Sequence, residues 1–405
     1  MEIVFRQNPW WFFEDWERRD RNLRMFRQSR VRWVPRWIDR LSLRPFSLNF
    51  VYGVRQTGKT TGVKLLIKRL LGRGVRPESV FYFDLESISG LRELRQLLLW
   101  YFDWRRSNNV EGSFIFLDEA SSVPEWWRVV KFFIDQGYFE GDVVTVLGSS
   151  TIGILKSPER FPGRRGLGTT VEVLPLSFPE FVEVHGLSLR EALYSHEELR
   201  ALWDKYKRTG GFPTAINESE TAVEDLIAGI TSEIYRHGKS LEIAKGILRS
   251  LLEKVPSALS YHSIAQDVGV SHRTVREYLE FLRDSMVLGI AYLKSDRVYL
   301  RREKKVFFRD PFILRTASVW TMTNFLDSAL YEGIVQEHLL RRYGSVFYYR
   351  NSHEVACVAG DLRVEVKAGK PHRRHPRNVV ILDEESIPRF LIEIHAKEVT
   401  SKKTW

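Results

Sequence analysis

A single cysteine, Cys357, stands in a chain of 405 residues. One thiol excludes an internal disulfide framework and any multi-cysteine zinc site. Amides are scarce too, with 7 Gln and 9 Asn against 62 Lys and Arg and 51 Asp and Glu. Few amides among many charges fit a thermophile's surface, where ion-pair networks replace labile side chains. No apolar run approaches the ~18 residues of a membrane span. The first twenty residues mix acidic, basic and aromatic side chains and lack the apolar core and small-residue cleavage site of a signal peptide. The expectation is a cytoplasmic protein with no membrane contact. Internal repeats and low-complexity tracts are also missing.

What is in excess is positive charge. A net charge of +11 and a pI near 9.6 point to a polyanionic partner, most often nucleic acid, and DNA is the expected one. The thermophile surface is the competing account of the same charge.

Residues 1–45 are dense in Trp and Arg, too aromatic for a disordered tail. From 46 to about 175, short apolar runs (SLNFVYG, SVFYFDL, SFIFLDEA, VVTVLGSS, TTVEVLPL) alternate with amphipathic stretches. That alternation predicts an α/β domain, a parallel sheet with helices on both faces. Residues 176–255 read as a mostly helical lid, 256–310 as a compact helical unit with a hairpin, and 311–405 as mixed α/β.

Gly53-Val54-Arg55-Gln56-Thr57-Gly58-Lys59-Thr60 satisfies G-x-x-x-x-G-K-[ST], with an apolar strand before it and an amphipathic helix after. The glycines let the loop wrap until backbone N–H groups converge on one anion, to which the helix N-terminus adds partial positive charge. ATP and Mg²⁺ are the expected ligands. Gly53, Arg55, Gln56, Thr57, Gly58, Lys59, Thr60 and Thr61 form the phosphate loop; Lys59 reaches the β- and γ-phosphates and Thr60 ligates Mg²⁺. The strand at 113–117 ends in Asp118-Glu119, 59 residues beyond Lys59. Asp118 is expected to hold Mg²⁺ through water, and Glu119 to take a proton from the attacking water or orient it. A further strand runs into Ser149-Ser150; Ser149 is the first choice for a γ-phosphate sensor, with Ser150 close behind.

Together these residues resemble the archaeal and bacterial ATPases that join an AAA-type ATPase domain to a C-terminal domain of restriction-endonuclease type, the DUF4143-like group. The resemblance is carried by Asn8-Pro9-Trp10-Trp11, the phosphate loop, the segments 116–120 and 147–150, Phe161-Pro162-Gly163-Arg164-Arg165-Gly166, residues 174–181 and Gly210-Gly211-Phe212-Pro213. It implies ATP binding and hydrolysis, and an arginine supplied in trans within a homo-oligomer. Here that would be Arg164, with Arg165 as competitor.

Residues 261–279 read as two helices joined at Gly269, with Ser271 as N-cap of the second. His272, Arg273, Arg276 and Arg283 would lie exposed on that second helix, the composition of a major-groove reader. The following segment would form a wing carrying Arg301, Arg302, Lys304 and Lys305, and the resemblance also places a winged helix here.

Near the C-terminus, Glu365-Val366-Lys367 is the E-x-K of a metal-dependent nuclease core. In the resembled family the second acid falls in a Glu-hydrophobic-Asp run, and here that run is Glu354-Val355-Ala356. Asp361 or Glu337 are the remaining acidic candidates, and an inactive scaffold is the expectation. The basic run from Lys370 to Arg377 suits phosphate binding or a solvated loop. The leading reading is an ATPase that controls a DNA-binding winged-helix surface; the alternative is an ATP-dependent regulatory or scaffold switch acting on protein partners.

Overall fold

The computed structural model describes residues 2–149, 161–350, 354–368 and 378–401, without the side chains of Arg301 and residues 397–401. Ser150 and the basic run from Lys370 to Arg377 lie outside the described residues. The chain divides into two compact units, residues 1–174 and 175–405.

In the first unit, five parallel strands β1 (Ser47–Gly53), β2 (Val80–Asp84), β3 (Phe114–Asp118), β4 (Val143–Gly148) and β5 (Thr170–Val173) lie in the order β2-β3-β4-β1-β5. Successive strand residues face opposite sides. Phe50, Phe81, Phe83, Ile115 and Leu117 therefore enter one core. Val51, Tyr82 and Phe116 enter the other. The first core is closed by helices α3 (Leu91–Ser107) and α4 (Trp126–Asp135), the second by α2 (Lys59–Gly72) and the N-terminal segment with helix α1 (Arg21–Gln28). At Gly62, a Cβ would stand 2.3 Å from the Trp37 ring, so α2 accepts the indole only because that position is bare.

Among the described residues, strand β2 pairs only with β3, leaving one row of its backbone groups without a strand partner. Side chains of the N-terminal segment seal that row. Asn8, fully buried, donates from Nδ2 to Tyr82 O at 2.8 Å and accepts from Tyr82 N at 2.7 Å, reproducing both bonds of a missing strand. Gln7 Oε1 accepts from Asp84 N at 2.6 Å, and the Trp10 and Trp11 indoles both donate to Val80 O at 2.9 and 3.0 Å. Asn8→Ala should therefore cost about 3 kcal/mol, because two buried backbone groups lose their partners. Urea denaturation should show a lower midpoint at unchanged slope; a loss below about 0.5 kcal/mol would mean that water replaces the amide at no penalty.

The second unit begins with helices between Phe178 and Lys254, the last being α5 (Leu241–Lys254). It continues through α6 (Tyr261–Val268) and α7 (His272–Asp284) into an antiparallel hairpin, β6 (Leu288–Lys294) and β7 (Val298–Phe308). That hairpin is not an independent wing. β6 also pairs in parallel with β8 (Phe347–Arg350), and the six strands run β11-β10-β9-β8-β6-β7, with β9 (Glu354–Ala359), β10 (Leu362–Val366) and β11 (Val380–Leu382). Helices α8 (Asp327–Tyr343) and α9 (Ile387–Ser401) complete the unit. The expected bodies at 176–255, 256–310 and 311–405 thus fall in one compact unit, because a shared sheet ties the hairpin to the C-terminal strands.

The Gly210-Gly211 motif belongs to this unit's core. Asp310 accepts from Gly211 N at 2.9 Å and from Phe312 N at 2.7 Å, and a Cβ on Gly210 would stand 1.8 Å from its carboxylate. Nearby, His338 Nε2 accepts from Phe178 N at 2.9 Å while Nδ1 meets Ile334 O at 2.7 Å, which requires the neutral Nδ1–H tautomer. Burial pushes its pKa down to about 3. Below its ordinary value of 6.5 the unfolded chain takes up a proton that the native ring refuses, so this contribution is lost as pH falls from 6.5 towards 3. His338→Gln keeps a donor and an acceptor without the charge. Its stability relative to wild type should rise by about 2 kcal/mol between pH 7 and pH 5 in paired urea titrations. A constant difference would show that the native ring protonates freely.

Candidate nucleotide-binding site

The phosphate loop leaves the C-terminal end of β1 and enters α2 through Gly58, whose φ of 81° is the left-handed conformation that favours glycine. Gln56 also has positive φ, 67°. Lys59 is buried, and its Nζ donates to Gly53 O and Val54 O at 2.8 Å each. Thr57 Oγ1 braces the same turn on Val54 O at 2.9 Å. The ammonium is thus stored on its own loop, next to the first-turn N–H groups that a helix directs out of its end. At Gly53 a Cβ would stand 1.9 Å from Val173 O, so this glycine serves the packing of β5.

Sheet order brings the second half of the site to the same edge. Thr60 Oγ1 donates to Asp118 Oδ2 at 2.7 Å, joining the two residues expected to hold Mg²⁺. Asp118 is buried, and burial raises its pKa above the usual carboxylate range. Two further donors fix its orientation: Tyr82 OH on Oδ2 and Glu119 N on Oδ1, both at 2.9 Å. Sequence reasoning missed Tyr82, which reads there as one more core aromatic. Behind it, buried Lys64 lies 3.5 Å from the Tyr82 ring centroid and 3.4 Å from Asp20, the N-cap of α1. Burial lowers the Lys64 pKa to about 8 against the raising effect of Asp20.

Glu119 sits in the left-handed region, φ 47°, a strained conformation for a residue with a Cβ. Its carboxylate lies 3.5 Å from Arg55 of the phosphate loop, which also meets Glu86 at 3.2 Å. Ser149, buried, directly follows β4, and β4 lies between β1 and β3. Lys59, Thr60, Asp118, Glu119 and Ser149 are therefore gathered at one sheet edge.

Arg164 is not gathered with them. It grips Asp135 at the end of α4 through Nε at 2.6 Å and Nη2 at 3.3 Å, and lies with Ser47, Leu48 and Asp142 at the start of the strands. The length of β1, roughly 20 Å, separates that edge from the phosphate loop. Arg165 is no better placed: its guanidinium lies over the Phe50 ring, 5.1 Å from the centroid, and it donates to Thr170. Neither reaches the nucleotide site of its own chain.

In the second unit, Arg273 pairs with Glu277 at 3.1 Å, Arg276 with Glu280 at 2.9 Å and Arg283 with Asp284 at 3.0 Å. Three arginines are matched by three acids on α7, and its net charge is zero with His neutral. Of the expected wing, Lys304 and Lys305 are buried, the first 3.5 Å from the Tyr261 ring centroid. Lys305 Nζ lies 2.8 Å from both Glu332 and Glu354. Glu365 accepts from Ala356 N at 2.9 Å and is paired with Lys367. Glu337 is not the outer acid of this cluster, since Arg309 and Arg341 hold it at 3.0 and 2.7 Å; Glu332, overlooked in the sequence, faces it. Asp361 lies exposed in the β9–β10 turn. Among the described residues no group of three or more His, Cys, Asp or Glu is arranged to hold a metal, and no helix is long and apolar enough to cross a membrane.

Residues 46–182 match the family model described as AAA domain, and the first unit has the parallel-sheet α/β fold of P-loop NTPases. Residues 200–324 match a domain of unknown function, DUF8612, a different family from the DUF4143 type implied by the resemblance. A Haemophilus influenzae protein described as uncharacterized is 25% identical over 369 residues, 85% of this chain and 88% of its own length. A similarly described protein of Methanocaldococcus jannaschii is 25% identical over 285 residues, 66% of this chain and 60% of its own length. Among solved structures, the Aeropyrum pernix ORC2 protein in its ADPNP and ADP complexes is 14% identical, covering 75% of this chain and 94% of that one at a TM-score of 0.44.

Proposed function

We propose that this chain is a Mg²⁺-dependent ATP hydrolase. The observation that carries the reading is the carboxylate of Glu119, beside the Thr60–Asp118 pair and tied by Arg55 to the phosphate loop. The donor set suits the ligands: an ammonium and helix-end amides for phosphate oxygens, a hydroxyl and a carboxylate for a hard dication. Mg²⁺, when bound, supplies charge neutralisation at the phosphate oxygens. Lys59 would exchange its two carbonyls for phosphate, and Ser149 would contact the γ-phosphate. Glu119 would accept a proton as the water oxygen bonds to γ-phosphorus and the bond to the ADP oxygen breaks, giving ADP and phosphate. Arg164 would act on a neighbouring copy, which in turn requires its release from Asp135. Phosphate release from Mg·ATP, absent when EDTA is present, tests the reading; purified protein without turnover would overturn it.

What hydrolysis serves is the finer part. DNA held by the winged-helix surface needs net positive charge there; the charges of α7 are matched and Lys304 and Lys305 are buried, which leaves Arg297 and Arg302 exposed on the hairpin. These pairings favour the alternative, in which this cytoplasmic switch contacts protein through its second unit. Turnover measured with duplex DNA across a salt series separates the two, since phosphate contacts release counterions and weaken steeply with salt.

A further inference from the structure

Residues 21–44 carry a net charge of +7, more than the +3 of residues 256–310. Residues 21–44 contain eight arginines, no lysine and one acid, Asp39. All eight arginines are exposed. Asp39 is itself taken by Arg69, outside the segment, and of the eight arginines Arg27 pairs with Glu17. Arg21, Arg24, Arg30 and Arg44 make no ion pair with any described residue. A thermophile's ion-pair network needs both signs of charge, so it does not account for this segment.

The segment is also held in place. Asp20 caps α1 through Leu23 N at 3.0 Å, Trp37 packs on Gly62, and Ile38 and Leu41 are buried in the core. Arg21 and Arg24 lie three residues apart on α1, on neighbouring positions of one helix face. Trp33 and Phe26 are half-buried among the arginines.

We propose that residues 21–44 are a nucleic-acid docking surface that binds the phosphodiester backbone. Arginine in place of lysine favours this ligand, because the planar guanidinium makes paired hydrogen bonds to phosphate oxygens and stacks on bases. A membrane surface is a poorer fit: an interfacial helix needs a long apolar face, whereas α1 has eight residues and turns its one buried side chain, Leu23, inward. The surface rests directly on α2, the helix that begins at Lys59, so a bound strand would lie against the element that holds the nucleotide. This proposal stands independently of hydrolysis.

The test is fluorescence anisotropy with a short labelled duplex, without nucleotide, over a range of salt. The expected result for Arg21→Gln/Arg24→Gln/Arg30→Gln/Arg44→Gln is an affinity loss of more than about tenfold, with the slope of log K against log salt reduced by about 3. Arg273→Gln/Arg276→Gln should bind as wild type. Basal ATP turnover of the quadruple variant, unchanged, reports that it is folded, and loss of turnover in Lys59→Ala with duplex binding intact would separate the two activities. Unchanged affinity and slope in the quadruple variant would overturn the proposal. So would a loss confined to the Arg273/Arg276 variant, or sedimentation with phosphatidylserine vesicles in the absence of duplex binding.

Discussion

Glu119→Gln is expected to leave ATP bound and to slow hydrolysis by roughly 10²–10⁴, the usual weight of a positioned general base. Glutamine keeps the shape of the side chain and a carbonyl oxygen facing Arg55, so the loop geometry should survive. What disappears is the site for a proton. Equilibrium binding of a fluorescent ATP analogue and single-turnover phosphate release must therefore be read separately, and only the second should change. Turnover near wild type would transfer the role to another acid at this edge, such as Glu86, which meets the same Arg55, or Asp84, which lies beside Asp118 in the sheet. Weakened binding together with slow turnover would instead mean that the strained turn at Glu119 had collapsed.

Lys59→Ala should abolish tight nucleotide binding. An ammonium that makes two charge-assisted hydrogen bonds to phosphate contributes about 3–5 kcal/mol, or roughly 10²–10⁴ in affinity. The same substitution removes the donor from Gly53 O and Val54 O, so the empty loop should also loosen. Calorimetric titration with ATP, with and without Mg²⁺, measures the loss directly. Affinity within about threefold of wild type would mean that the loop serves packing alone.

Much of the first unit was legible because its signals are local. Five apolar runs gave five strands at the expected places, and a parallel sheet follows from strands separated by helical stretches. That Lys59, Thr60, Asp118 and Glu119 would meet at one edge was readable for the same reason: the phosphate loop leaves the end of β1, Asp118 ends β3, and parallel strands end at one edge. The roles of Asn8 and Tyr82 were not readable, since their partners lie 74 and 36 residues away in sequence. Position 305 illustrates a different limit. A lysine closing the charged run 301–305 reads as a solvent-facing charge until α8 and β9 place Glu332 and Glu354 around it. The neutrality of α7, by contrast, was available in advance: Arg273–Glu277 and Arg276–Glu280 are spaced four apart, and exposed arginines on a helix are to be counted with the acids one turn on.

The seal on β2 has a consequence for how the protein fails. A strand neighbour would add a ladder of bonds and a hydrophobic face, whereas here a few side chains from a dozen N-terminal residues hold the whole row. Proteolytic loss of that short stretch would uncover Val80, Tyr82 and Asp84 as a template for strands of other chains. The first symptom of N-terminal clipping should then be aggregation through sheet edges while the phosphate loop, on the opposite side of β3 and β4, is still intact.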